Sequence, residues 1–133
     1  MPHVKRSRYV AFALTTAALA QVALWCTPAA AAQQVSFSLD VLPIIESHCV
    51  KCHHPGGPGH EASGLDLRSY EGLMKGTQHG KIITPGEPLT SNLLVLIEGR
   101  ADPSIRMPHH ERPLLKQQVE ILREWVKQGA QNN

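Results

Sequence analysis

The stretch Cys49-Val50-Lys51-Cys52-His53 places two cysteines three positions apart, with a histidine directly after the second. This Cys-x-x-Cys-His spacing is the attachment pattern of a c-type haem. Each thiol adds to one of two vinyl groups on a single edge of the porphyrin, so a short turn must bring both sulfurs to that edge. The next side chain then lies beneath the iron as its proximal ligand. The stretch therefore predicts one covalent haem c, attached at Cys49 and Cys52, with His53 on the iron.

Residues 1–32 have the layout of a secretory signal peptide. A basic stretch at 5–8 precedes an apolar run over 9–25, and small alanines end at Ala32. We predict cleavage after Ala32 and export to the periplasm. The alternative is an uncleaved helix that anchors the protein to the membrane, because about 17 apolar residues is the lower limit for a span.

The chain that remains after cleavage is one small domain of about 100 residues. We predict an N-terminal arm at 33–38, a single domain over 39–130 and a short tail at 131–133. Of the 13 Lys and Arg residues, three leave with the signal, so 10 remain against 11 Asp and Glu. A net charge of about −1 favours neither a nucleic-acid partner nor a charged membrane surface.

Cys49 and Cys52 are the only thiols of the predicted mature chain, since Cys26 leaves with the signal. Two free neighbouring cysteines in an oxidising compartment would tend to form a strained disulfide, which haem attachment avoids. A zinc site is the alternative, in which His53 and a distant histidine, His109 or His110, would complete the ligand set. A redox dithiol would need a strand before the motif and a helix after it, but a Pro-Gly pair follows.

The apolar spacing outside the motif predicts helices and no clear sheet. Spacings of three and four residues predict helices over about 40–47, 92–98 and 114–128, and a shorter one over 70–75. The cluster at 55–59 contains two prolines and three glycines and predicts a loop, whereas 63–68 alternates briefly and could be extended. Trp125 lies on the apolar stripe of the last helix, where we expect it to pack against the first helix and the haem rim.

The second iron ligand must come from elsewhere in the chain. Met107 lies on a proline-rich loop before the last helix, and a thioether is a soft ligand that raises the reduction potential. His109 and His110 follow on the same loop, and sequence position alone leaves the choice among the three open. Met74 lies at a helical position and is interpreted as a core residue.

The other histidines of this region are not expected to bind the iron. His48 and His54 flank the motif and are expected to face solvent, since neither occupies the position beneath the iron. His60 and His79 lie in glycine-containing segments and are expected to be exposed. The Nδ1–H group of His53 is expected to be held by a backbone carbonyl near Pro55.

Three stretches resemble the planctomycete-type cytochrome c domain. They are 41–53 around the attachment turn, Pro85-Gly86-Glu87-Pro88 with the helix after it, and Met107-Pro108 with the helix that ends at 124–130. The resemblance spans about 39–130 and implies an all-α, small cytochrome c-like fold, with short helices and loops around one haem. It also implies Met107 as the distal ligand, although His109-His110 stand where the family often has a further proline.

These features predict an exported monohaem cytochrome c that carries single electrons between redox partner proteins through transient docking. Such a protein is a carrier and not an enzyme. Two alternatives share the same motif. One is a haem-bearing electron-entry subunit of a larger periplasmic oxidoreductase, and the other is a haem protein that responds to a gaseous ligand.

Overall fold

The computed structural model describes residues 33–133. The predicted signal segment at 1–32 lies outside the described residues. Within 33–133, none of the helices has the length and apolar character needed to cross a membrane.

The last helix, α5, spans Lys116–Lys127 and buries one face of its surface. The predicted helix began at Leu114, but the structure begins it two residues later. The side-chain oxygen of Gln118 accepts the Leu115 N–H at 3.0 Å. This bond satisfies a backbone amide that has no partner within the helix, and it accounts for a helix start at Lys116. The helix stops before Gly129, whose φ of +98° lies in the left-handed region that glycine tolerates.

The N-terminal helical segment consists of a π-helical turn, Phe37–Val41, followed directly by α1, Leu42–His48. Ser36 caps the turn by accepting the Leu39 N–H at 3.2 Å. Pro43 lies in the first turn of α1, where its missing N–H breaks no helical hydrogen bond. The segment ends at the residue before Cys49 and therefore positions the attachment turn.

An aromatic cluster joins the two ends of the domain. Trp125 of α5 is completely buried, and its ring centroid lies 5.6 Å from that of Phe37. Tyr70 packs edge-on against Phe37, with ring centroids 5.2 Å apart. The expected packing of Trp125 against the N-terminal segment is confirmed.

The N-terminal arm is attached to the domain rather than loose. The backbone N–H of Val35 donates to the side chain of Gln128 at 2.8 Å, and that of Ser38 donates to the carbonyl of Asn133 at 3.0 Å. Because Phe37 is buried as well, the segment predicted as an arm contributes to the core.

Three short helices occupy the middle of the chain: α2 at Pro58–Ser63, α3 at Tyr70–Lys75 and α4 at Asn92–Ile97. The last two agree closely with the prediction. Helix α2 was missed, because the proline-glycine cluster before it was interpreted as loop throughout. Pro58 instead starts the helix, where a fixed φ is favourable. A 3₁₀ turn at Pro103–Ile105 precedes Met107.

The part of the chain that the structure describes contains no β-strand. The alternating stretch at 63–68 ends α2 and then continues without strand pairing, and a single bridge joins Thr77 to Gly80. The prediction of an all-α fold is confirmed. One core of buried apolar side chains connects the segments, and α4 and α5 are further joined by Glu98, which pairs with Arg123 at 2.6 Å.

Candidate haem site

A cavity of about 490 Å³ lies between the attachment turn and the Met107 loop. Its wall contains all four residues singled out from the sequence: Cys49, Cys52, His53 and Met107. Helix α4 contributes Leu93 and Ile97 to the same wall. Residues more than fifty positions apart in the chain are thus brought together around one space of the size typical of ligand sites.

The attachment turn continues the hydrogen bonding of α1 past its end. The N–H of Cys49 donates to Ile45 at 2.8 Å, and the N–H of His53 donates to the carbonyl of Cys49 at 3.0 Å. The turn is also fixed on its far side, since the Leu67 N–H donates to the carbonyl of His53 at 2.8 Å. Cys49 and Cys52 therefore lie on a backbone that is constrained from both directions.

Both motif cysteines are free thiols, and both are partly buried. Burial raises the pKa of Cys49 to about 11, and the neighbouring Cys52 and Glu111 add to the rise against the opposing effect of Lys51. The thiol is therefore protonated at neutral pH. A neutral thiol in an apolar wall suits thioether formation, because the product has no charge to solvate.

Nδ1 of His53 is buried and has no hydrogen-bond partner within residues 33–133. Burial lowers the pKa of His53, while the nearby backbone carbonyl of Leu65 opposes this effect. We predicted that a backbone carbonyl near Pro55 accepts a hydrogen bond from Nδ1 of His53. This prediction was wrong, because the Pro55 carbonyl instead accepts a hydrogen bond from Nδ1 of His54 at 2.9 Å. The lowered pKa favours the neutral imidazole, which is the form that binds a metal.

Gly59 of α2 provides the space for the His53 ring. A Cβ atom added at Gly59 would lie 2.8 Å from Cε1 and 2.9 Å from Nδ1 of that ring, closer than carbon atoms can approach. The missed helix α2 thus forms part of the site. The sequence contained a weak signal for this helix, because Pro58 suits the first helical position and Gly64 directly follows the last one.

Met107 is half-buried and is attached to α4 by a backbone hydrogen bond, in which its N–H donates to the Leu96 carbonyl at 3.3 Å. His109 and His110 line the same cavity and are exposed, with their rings 3.9 Å apart. All three distal candidates therefore remain near the site. His110 has a φ of +57°, which is uncommon for a residue with a side chain.

Two further side chains of the wall were missed or assigned differently from the sequence. His48 was expected to face solvent, but it is partly buried in the cavity wall and bonds to Gln118 of α5 at 3.0 Å. Lys51 forms an ion pair with Glu111 and so connects the attachment turn to the Met107 loop. Both contacts join residues at least sixty positions apart, and no local pattern reveals them.

The predicted exposure of the remaining histidines is only partly confirmed. His54 is partly buried, and Nδ1 of His60 is buried within α2, so neither is the fully exposed residue that was expected. His79 is exposed as predicted, and Met74 packs against the core as predicted. The zinc alternative lacks support, because among the described residues no three His, Cys, Asp or Glu side chains are grouped to hold one ion.

Residues 49–111 match the planctomycete cytochrome C family model. The resemblance drawn from the sequence is confirmed. The match contains the attachment turn and Met107, whereas α1 and α5 lie outside it. Searches of curated proteins and of solved structures found no match. The family match indicates a haem-based role in electron transfer.

The residues of the cavity fit a c-type haem. Two thiols, an imidazole with an unpartnered Nδ1 and a thioether share one wall, and apolar side chains from α4 form another part of it. This donor set matches the covalent attachment and the axial ligands that such a haem requires.

Proposed function

We propose that this protein is an exported monohaem c-type cytochrome that carries single electrons between redox partners. One observation supports the proposal above the others: Cys49, Cys52, His53 and Met107 line a single cavity, although Met107 is distant from the motif in sequence. When bound, haem c supplies an iron centre that changes oxidation state by one electron.

Cys49 and Cys52 would hold the porphyrin through two thioether bonds, and the His53 imidazole would bind the iron. Gly59 leaves room for the imidazole, and the backbone hydrogen bonds at Cys49 and His53 restrict its movement. A fixed ligand favours fast electron transfer, because little rearrangement then accompanies the change in charge.

Met107 would provide a second, soft sulfur ligand, which would favour the reduced iron and raise the reduction potential. Its backbone hydrogen bond to Leu96 holds this part of the loop against α4. Leu93 and Ile97 of that helix limit the access of water to the site.

The redox partners are expected to dock weakly and transiently, as electron-transfer proteins generally do. The composition supports neither a nucleic-acid partner nor, after cleavage of the N-terminal segment, attachment to a membrane. A free carrier and an electron-entry subunit of a larger oxidoreductase share this site. Purification from the native source separates them, since a subunit co-purifies with its enzyme and a carrier elutes alone.

A ligand-responsive haem protein is a second candidate, and the Met107 loop is the observation that favours it. Within residues 33–133, no backbone N–H between 108 and 114 makes a backbone hydrogen bond, so the segment that follows Met107 is weakly constrained. Carbon monoxide added to the reduced protein at neutral pH distinguishes the two. A carrier stays six-coordinate, whereas a sensor binds the gas at low concentration.

The proposed function is tested by purifying the exported protein together with its cofactor. We expect one haem per chain that survives acid–acetone extraction, and a reversible one-electron titration of its absorbance. A protein without covalent haem, or one whose absorbance does not respond to potential, would contradict the proposal.

A further inference from the structure

Gln118 of α5 is half-buried and uses both ends of its side-chain amide in hydrogen bonds. Its oxygen Oε1 accepts the Leu115 N–H at 3.0 Å, and its nitrogen Nε2 lies 3.0 Å from Nε2 of His48. Leu115 directly precedes α5, whereas His48 is the last residue of α1. One side chain therefore connects the start of α5 with the residue directly before the attachment turn.

These two hydrogen bonds determine which atoms donate and which accept. Only the amide oxygen of Gln118 can accept from the Leu115 N–H, so the amide nitrogen must face His48. The amide nitrogen can only donate, and Nε2 of the His48 imidazole therefore accepts. A neutral imidazole that accepts at Nε2 carries its proton on Nδ1, which is the less common tautomer of a histidine side chain in water. The Gln118 amide thus holds the His48 ring in one position and in one tautomer.

The position of His48 matters because this residue lies in the wall of the haem cavity, beside Cys49. No residue of α5 lines that cavity, so Gln118 supports its wall from outside. His54, on the other side of the motif, is also partly buried, but it does not line the cavity and bonds to the Pro55 carbonyl instead. The side chains of the wall control how much water reaches a bound haem, and water favours the charged, oxidised iron.

We propose that Gln118 is a positioning residue of the haem site, which holds the His48 imidazole beside the Cys49 edge of the haem and so keeps water from that edge. The role rests on the proposed function, since it concerns the bound haem. Because the Gln118 amide occupies Nε2 of His48, this nitrogen is not available to the iron. His48 therefore acts on the site by covering it, and Gln118 acts through His48.

Loss of the Gln118 amide has two expected effects. In Gln118→Leu the His48 ring loses its partner and can turn towards solvent, so water gains access to the haem edge and the reduction potential falls. The His48 proton also moves to Nε2, as in a histidine that is free in water. A residue that served only to cap α5 would change stability and neither of these two properties.

Gln117 provides the matched control, because it is the neighbouring glutamine of α5, is exposed and does not line the haem cavity. Two changes at His48 separate the covering group from its support. His48→Ala removes the covering side chain, whereas the side-chain oxygen of His48→Gln can accept from Gln118 as the imidazole Nε2 does.

The test measures the reduction potential of Gln118→Leu, Gln117→Leu, His48→Ala and His48→Gln in the holoprotein by redox titration. The tautomer of His48 is determined by nitrogen NMR of the reduced, diamagnetic protein at mildly alkaline pH. We expect Gln118→Leu and His48→Ala to lower the potential, and Gln117→Leu and His48→Gln to stay close to the wild type. The His48 proton should be on Nδ1 in the wild type and on Nε2 in Gln118→Leu.

Equal potentials in Gln118→Leu and Gln117→Leu, or a His48 proton on Nε2 in the wild type, would overturn the positioning role. If Gln118→Leu does not accumulate, Gln118→Glu decides. Its carboxylate still accepts the Leu115 N–H but cannot donate, so the His48 proton must move to Nε2, and an unchanged tautomer overturns the role. A wild type without covalent haem contradicts the proposed function itself, whereas haem-bearing variants that fail these comparisons contradict only the role of Gln118.

Discussion

The attachment turn and the Met107 loop face the same cavity but are built in different ways. The turn continues α1, and backbone hydrogen bonds at Cys49, Cys52 and His53 constrain it. The loop has a hydrogen bond at Met107 itself and then no backbone N–H donor to the main chain between 108 and 114, within the residues described. Most of its side chains are exposed. One side of the site is therefore rigid and local in sequence, whereas the other depends on contacts made elsewhere.

This difference indicates that the attachment turn and the Met107 loop have different roles. The attachment turn must hold two sulfurs and an imidazole in fixed relative positions, which a short hydrogen-bonded turn achieves. The Met107 loop has few backbone hydrogen bonds beyond the one at Met107, so its position depends more on side-chain contacts. Lys51 and Glu111 form the ion pair that connects the two sides.

We expect the largest effect from substitutions in the attachment turn, which is the rigid side of the site. Replacing both Cys49 and Cys52 by serine removes the thioether positions, so we expect complete loss of covalent haem. Acid–acetone extraction followed by mass spectrometry measures this directly. His54→Ala, a neighbouring change outside the thioether positions, should retain the full haem mass. Covalent haem in the double serine variant would contradict the attachment.

Gly59→Ala tests the space on the proximal side. The new methyl group would overlap the His53 ring, and we expect a loss of about 1–3 kcal/mol in the free energy of unfolding, as overpacking typically causes. We also expect an altered electron paramagnetic resonance spectrum of the oxidised iron, because the imidazole must move.

Gly72→Ala is the matched control for this change. Its methyl group would overlap the backbone carbonyl of Asp66, away from the cavity, so it should lower stability with no change in the iron spectrum. If both variants leave the iron spectrum unchanged, Gly59 has no influence on the proximal ligand.

The smallest effect is expected from the ion pair between the two sides. Both partners are substantially exposed, with 49% and 37% of the side-chain surface accessible, so Lys51→Gln should cost less than about 1 kcal/mol of stability. Loosening the Met107 loop should instead speed the binding of imidazole to the oxidised protein several-fold.

High salt should produce the same acceleration in the wild type, because it screens an exposed pair. Lys127→Gln, which removes the pair with Glu124 on α5, should leave the binding rate unchanged. A Lys51→Gln variant that binds imidazole at the wild-type rate would show that the pair does not restrain the loop.

The same contrast explains how much could be predicted from sequence. The apolar spacing around Leu122 and Trp125 predicts α5, and the glycine at 76 predicts the end of α3, because both signals are local. The Cys49–His53 motif predicts the attachment turn for the same reason. The all-α class and the family resemblance followed from these local patterns.

The predictions from sequence were wrong where a contact between residues distant in the chain determines the structure. His48 lies in the cavity wall because Gln118, seventy residues later, bonds to its ring. Ser91 occupies the N-cap position of α4, but its hydroxyl accepts the Thr84 N–H at 2.9 Å instead of a helix amide. Helix α2 was missed because the proline and glycine cluster favours a loop locally, which outweighed the helix-start signal of Pro58, and the packing of Gly59 against the His53 ring is a tertiary contact.

The most direct test of the account is the optical spectrum of the oxidised protein with and without Met107. We predict a weak thioether-to-iron absorption band in the wild type that disappears in Met107→Ala, together with a fall in potential within the roughly 0.8 V range that axial ligands span. Met74→Ala, and a variant with alanine at both His109 and His110, should retain the band. A wild type that lacks the band, or a Met107→Ala variant that keeps it, would contradict the assignment of Met107 as the distal ligand.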